Sequence, residues 1–160
     1  MTGANSKFKF LQLDMVDNVL SQYPDKRSAV LPLLHLAQSQ EGYISAGVLE
    51  TIANIVEVTS AEIASTVSFY TMFNTEPLGK YNLQVCQTLS CSLNGADELV
   101  DHICNEYKIA PGETTEDDRF TLMKVECLGS CGTAPVVQIN NDYHEGVTVE
   151  FLDKLLYSLE

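Results

Sequence analysis

Five cysteines are the residues of this 160-residue chain whose type and spacing most clearly indicate chemistry, and all of them lie in its second half. Cys86 and Cys91 have four residues between them, Cys127 and Cys131 have three, and 35 residues separate the two pairs. Four thiolates are the usual ligands of a 2Fe–2S cluster, but they are also a structural zinc set. Zinc is somewhat disfavoured, because zinc ribbons usually separate their pairs by about 15–20 residues. The spacing alone leaves iron–sulfur, zinc and redox-active thiols open.

The fifth cysteine, Cys104, is predicted to lie apart from the other four. It falls on the apolar face of a predicted helix beside Val100 and Tyr107, where a buried thiol acts as a small hydrophobe. We therefore expect Cys104 in the core and not among the ligands. An odd number of cysteines also disfavours an extracellular disulfide framework.

The remaining polar residues form no catalytic pattern. His35, His102 and His144 have no partner at a spacing typical of catalysis, so we expect structural or surface roles for them. The sequence contains no Ser-His-Asp order, no nucleotide-binding glycine loop and no zinc-protease motif.

Both cysteine pairs fall where a predicted strand ends and a loop begins, which is a favourable place for ligands. Residues 127–135 read Cys-Leu-Gly-Ser-Cys-Gly-Thr-Ala-Pro. Gly129 and Gly132 allow this backbone to curl tightly, so that its amides approach sulfur atoms closely. Amide hydrogen bonds to sulfur are one determinant of the redox potential of a cluster.

Helical periodicity dominates residues 1–79, which we predict to form a small bundle. The predicted helices run from Leu11 to Gln22, from Asp25 to about Gly42, from Ser45 to Val56, and from Thr59 to about Phe69. Pro32 indicates a kink in the second helix or a later start. Thr59 and Glu62 form a capping box for the fourth.

Residues 80–160 are predicted to form a second domain of the α/β type, with helices covering one sheet. The predicted elements are a strand at Tyr81–Cys86, a helix capped by Asn94 and reaching Tyr107, strands at Phe120–Glu126 and Val136–Ile139, a turn at residues 140–142 with a short strand after it, and a final helix capped by Thr148. The fold class is therefore a helical bundle followed by a mixed α and β domain.

The charge balance limits the classes of partner. The net charge is −13, with −4 in residues 1–79 and −9 in residues 80–160. Nucleic-acid binding is excluded as a leading hypothesis, because it requires a basic surface. No run of about 18 uncharged apolar residues predicts a membrane span. No apolar segment near the start resembles a secretory signal, so we expect a protein of a bacterial-type cytoplasm without membrane insertion.

Five segments of the chain resemble the thioredoxin-like 2Fe–2S subunit of the NADH-dehydrogenase module of respiratory complex I. They are Leu33–Gln38 with Gly42–Ile44, Val67–Phe73, Val85–Cys86 with Cys91, Pro111–Thr115, and Cys127–Cys131 with Ala134–Pro135. The resemblance extends from about Phe10 to Glu160. The order of all five segments makes it more specific than the cysteine pairs alone.

The resemblance implies a thioredoxin-like domain whose one 2Fe–2S cluster is ligated by Cys86, Cys91, Cys127 and Cys131. It also implies a flavoprotein partner that binds FMN and NADH and carries a 4Fe–4S cluster, with further subunits of a peripheral arm at the inner membrane. The chain would pass or store single electrons and would catalyse nothing alone. We expect a potential of plant-ferredoxin order, roughly −400 mV.

Several alternatives stay open at this stage. The same family supplies subunits of NAD-reducing hydrogenases and NAD-dependent formate dehydrogenases. A free-standing thioredoxin-like ferredoxin explains the cysteines but not the helical half. A zinc-stabilised interaction module is less favoured, and a thiol–disulfide oxidoreductase lacks its Cys-x-x-Cys motif at a helix start.

Overall fold

The structure is a computed structural model that describes residues 8–159. These residues separate into two compact units, divided between Pro77 and Leu78. Each unit has its own cluster of buried apolar side chains. None of the described helices has the length and apolar character needed to cross a membrane.

The first unit is helical. Its α-helices are α1 (Leu13–Ser21), α2 (Val30–Glu41), α3 (Ala46–Val56) and α4 (Ser60–Phe69). Asp25 starts only a short 3₁₀ helix, Lys26–Ala29, and α2 begins after it. Pro32 therefore lies in the first turn of α2, where its missing N–H needs no partner, and the later start is the correct alternative.

Local sequence signals account for the ends of these helices. The Ser45 hydroxyl accepts the Val48 N–H before α3, and Thr59 and Glu62 form the predicted capping box of α4. Gly42 ends α2 in the left-handed conformation, at φ 82°. The core between the helices is centred on Leu33, Leu34, Val48, Ile52 and Ile63.

The second unit is built on a four-stranded mixed sheet. Its strands are β1 (Tyr81–Cys86), β2 (Phe120–Val125), β3 (Val136–Ile139) and β4 (Asp142–Glu145), in the spatial order β2-β1-β3-β4. β1 pairs with β2 in parallel, and the β1–β3 and β3–β4 pairs are antiparallel. Three α-helices accompany the sheet: α5 (Leu89–Leu93), α6 (Ala96–Tyr107) and α7 (Val149–Ser158).

Two details near the start of α6 differ from the sequence prediction. The short helix α5 was not predicted. The prediction that Asn94 caps α6 is wrong, because Gly95 precedes that helix at φ 98° while Asn94 ends α5 and donates its amide to the Ser90 carbonyl. The left-handed turn at Gly95 allows α6 to begin directly after α5.

The core of the second unit lies between the sheet and the helices α6 and α7. Phe120, Leu122, Ile103, Leu152 and Leu156 are among its fully buried members. Cys104 packs against this core as a partly buried side chain, in agreement with the prediction. The ring of His35 is tilted against that of Phe73 with the centroids 4.9 Å apart, the His102 Nε2 lies 2.6 Å from the Asp153 Oδ1, and the ring of His144 is tilted against that of Phe151.

Candidate metal centre

The first cysteine pair lies at the end of β1. Cys86 is the last residue of the strand, and the chain turns through Gln87 and Thr88 into α5, which carries Cys91. Both sulfurs face inward, since each of the two residues is only 2% exposed. The helix α5 buries Cys91 alone, so this short element serves chiefly to hold one thiol against the sheet.

The parallel pairing of β1 with β2 brings the second cysteine pair to the same end of the sheet. Cys86 is opposite Val125 in the register, and Cys127 follows the end of β2 by two residues. The carboxyl ends of parallel strands meet at one edge of the sheet, so the two loops lie together. Cys127 and Cys131 are exposed, and their Sγ atoms are 3.9 Å apart.

Hydrogen bonds join the two cysteine loops. The Thr88 Oγ1 lies 3.1 Å from the Cys86 Sγ, and the same hydroxyl interacts with the Cys127 thiol. The Leu128 N–H donates to the Cys86 sulfur. The Ser90 hydroxyl donates to the Cys131 carbonyl over 2.8 Å. The structure therefore brings all four predicted cysteines together at one end of the sheet.

The shifts in pKa of Cys86 and Cys91 show whether their surroundings stabilise a negative charge on each sulfur. Burial opposes ionisation of Cys86, but hydrogen bonds from the Thr88 hydroxyl, the Thr88 N–H and the Leu128 N–H outweigh it and lower the pKa of that thiol. Burial raises the pKa of Cys91, and the neighbouring Cys86 raises it further.

In the exposed pair, too, the pKa of one thiol is lowered and that of the other is raised. The Gly129 N–H donates to the Cys127 Sγ over 3.4 Å and lowers the pKa of that thiol. The hydrogen bond with Cys127 and the negative charge on it raise the pKa of Cys131. In each pair the thiol with the lowered pKa, when charged, raises the pKa of its neighbour. A positively charged group shared among the four sulfurs relieves this repulsion, so the donor set fits a metal centre.

The arrangement of the sulfurs in pairs bears on the identity of the metal. A single zinc ion with four thiolates at about 2.3 Å places every sulfur about 3.8 Å from the other three. Within residues 8–159, no three His, Cys, Asp or Glu side chains converge closely enough to hold one ion. The Cys127–Cys131 separation of 3.9 Å suits two sulfurs on one metal atom. A 2Fe–2S cluster uses two such pairs of thiolates, because each of its two iron atoms takes two of them.

The two cysteine loops are partly apolar and contain no charged side chain of their own. Residues 86–96 and 127–141 contain no Asp, Glu, Lys, Arg or His, although residues 80–160 carry a net charge of −9. On α5, Leu89 is 75% exposed and Leu93 is 77% exposed. The surface formed by Leu89, Leu93 and the loop 127–132 is hereafter called the thiol face.

Replacing Gly129 by alanine is expected to lower the free energy of unfolding of the iron-free chain by about 1 kcal/mol, because a left-handed backbone costs an L-residue roughly that amount. Gly129 has φ 84°, and a Cβ there meets no atom within 4 Å, so the strain is confined to the backbone. Gly132→Ala is the matched control: its Cβ also meets nothing and its φ is not positive. Urea unfolding measures both, and equal effects would contradict the argument.

Comparison with known proteins agrees with this site. The model of the family described as thioredoxin-like [2Fe-2S] ferredoxin matches residues 16–160. An NADH-quinone oxidoreductase subunit of Rhizobium meliloti (strain 1021) is 43% identical over 143 residues, covering 89% of this chain and 85% of the relative. NADH-quinone oxidoreductase subunit 2 of Thermus thermophilus is 46% identical over 149 residues, covering 91% of this chain and 82% of that relative.

A solved structure extends the comparison to the fold. An NAD⁺-reducing [NiFe]-hydrogenase in the air-oxidized state has 28% sequence identity and a TM-score of 0.72. The match covers 81% of this chain, and this chain spans 22% of that hydrogenase chain.

The chain belongs to the thioredoxin-like [2Fe-2S] ferredoxin family. The predicted fold class is confirmed, and so is the expected cofactor, one 2Fe–2S cluster. That Cys86, Cys91, Cys127 and Cys131 are its ligands stays a prediction, supported by their convergence. Sequence reasoning missed Thr88 and Ser90, whose hydroxyls join the cysteine loops. Their positions beside the cysteines were the available signal.

Proposed function

We propose that Cys86, Cys91, Cys127 and Cys131 ligate one 2Fe–2S cluster and that the chain is the electron-transfer subunit beside an NADH-oxidising flavoprotein that carries FMN. The observation that carries the proposal is the convergence of four thiols from two loops at one end of a mixed sheet. When bound, the cluster accepts and releases one electron at a time. In this proposal the cysteines act as ligands of the cluster and not as nucleophiles, and no residue of the chain has a catalytic role.

The two cysteine pairs contribute differently to this function. Cys86 and Cys91 are buried, so they hold their part of the centre away from water. Cys127 and Cys131 are exposed, so they bring the other part to the surface of the domain. A centre with one side at the surface allows an electron to reach a cofactor in a bound partner over a short distance. The Gly129 and Leu128 amides stabilise negative charge on the sulfurs.

The names of the relatives support a multi-subunit assembly, and we propose that this chain has a flavoprotein neighbour with FMN and a 4Fe–4S cluster, together with further peripheral-arm subunits. We propose a cytoplasmic location, at the inner membrane only through that assembly. The diaphorase part of an NAD-reducing hydrogenase is the second candidate, because 28% identity and a TM-score of 0.72 relate this chain to such an enzyme. Purification of the native assembly distinguishes the two, since nickel accompanies only the hydrogenase.

Electron paramagnetic resonance of the anaerobically purified chain tests the cofactor. We expect about two irons per chain and an S = 1/2 signal that develops on reduction with dithionite. About one zinc per chain with no signal would instead define a zinc-stabilised domain.

The double variant Leu89→Asp with Leu93→Asp is expected to weaken binding to the flavoprotein by at least about tenfold, because it adds two charges to the thiol face. Iron content is expected to stay unchanged, since both side chains point into solvent. Tyr157→Asp is the control, as Tyr157 is 88% exposed on α7. Calorimetric titration measures the affinities. Wild-type affinity in the double variant would place the partner on another surface.

A further inference from the structure

Thr88 occupies a helix-capping position without capping its helix. It precedes α5 with φ −77° and ψ 163°, the conformation in which a threonine hydroxyl usually accepts an N–H of the first turn. The hydroxyl makes no such bond. In the described chain Ser45, Thr59 and Thr148 hold the same position before α3, α4 and α7, and each accepts an N–H from its helix. The Thr88 hydroxyl is therefore engaged differently.

The alternative partners of this hydroxyl are sulfur atoms. The Thr88 Oγ1 is 3.1 Å from the Cys86 Sγ and also interacts with the thiol of Cys127. The hydroxyl therefore lies against the sulfur of the first cysteine pair that ends β1. The Thr88 N–H also contributes to the lowered pKa of Cys86.

We propose that Thr88 is a positioning residue that sets the redox potential of the centre by donating its hydroxyl hydrogen bond to the Cys86 sulfur. The inference rests on the proposed function, because it takes Cys86 as a ligand. A thiolate bound to iron has no proton, so the hydroxyl must be the donor. The bond strengthens as negative charge on the sulfur grows, and it therefore favours the state that holds the extra electron.

The test compares Thr88→Val and Thr88→Ser with the wild-type full chain carrying its cluster, in a potentiometric titration followed by electron paramagnetic resonance. Valine keeps the β-branched shape and removes the donor, while serine retains the donor. Poised at the wild-type midpoint, the valine variant is expected to show a ratio of reduced to oxidised centre about fivefold to tenfold lower, tenfold being about 59 mV for a one-electron couple. The serine variant is expected to remain within about twofold of wild type, with wild-type g-values.

Thr148→Val is the matched control for loss of a threonine hydroxyl before a helix. Because Thr148 caps α7, that variant is expected to unfold at lower temperature yet keep the wild-type potential. A wild-type potential in an iron-loaded Thr88→Val chain would overturn the inference and leave the proposed function intact. A wild-type chain without iron would overturn the proposed function itself. Thr88→Ala removes the hydroxyl with less bulk and gives the same comparison if valine impairs iron loading, with an unchanged potential again overturning the inference.

Discussion

Replacement of Cys91 by alanine is expected to leave less than about a tenth of the wild-type iron per chain, because a metal atom loses one of its two thiolates. Water cannot readily take the vacant position, since Cys91 is 2% exposed and is the buried residue of α5. The brown colour and the S = 1/2 signal are expected to disappear with the iron. Metal analysis and absorption spectra of the purified variants provide the measurement.

Cys104→Ala is the control for this experiment. It also removes one thiol from the same domain, but Cys104 packs against the core on α6. Its iron content is expected to equal that of the wild type. Full iron in Cys91→Ala would remove Cys91 from the ligand set, and loss of iron in Cys104→Ala would show that the fifth cysteine takes part.

The second compact unit is expected to be stable without the first. Residues 78–160 expressed alone are expected to fold and to carry a full complement of iron. They have a buried core of their own, and all four cysteines of the site lie within them. At 83 residues the segment also exceeds the length of about 70–80 below which a single core rarely suffices. Circular dichroism, thermal unfolding and iron analysis test the prediction.

The same truncated chain is expected to bind the flavoprotein at least about tenfold more weakly than the full chain, because the helical unit presents apolar side chains of its own. Leu11, Leu13, Phe69 and Met72 are all more than half exposed in that unit. Residues 1–77 alone serve as the control, expected to be helical and free of iron. Equal affinity of the truncated and full chains would assign the partner surface to the second unit only.

The cysteine pairs were predictable because their types, spacing and positions after strands all indicated one site. The predicted strands at Tyr81–Cys86 and Val136–Ile139 are observed with the same bounds, since alternating or continuous apolar residues identify them directly. The parallel pairing that joins the two loops could not be read from either strand. It depends on β1 and β2 lying side by side after a crossover of more than 30 residues.

The short helix α5 could not be predicted from periodicity. Its two leucines face solvent and only Cys91 is buried, so the most hydrophobic side chains of this helix are not the buried ones. The error at Asn94 has a related cause: asparagine is a good helix cap, but the left-handed backbone at Gly95 determines where α6 begins. Both misses lie beside Cys91, in the segment where the chain departs from regular periodicity.

The pairing of β1 with β2 also links the colour of this protein to its folded state. The two halves of the centre are 35 residues apart in the chain and come together only when Cys86 lies opposite Val125 in the closed sheet. The binding free energy of the cluster is therefore available only to the folded domain, so it adds directly to the free energy of unfolding. Unfolding of the sheet is therefore expected to separate the two cysteine pairs and to bleach the protein.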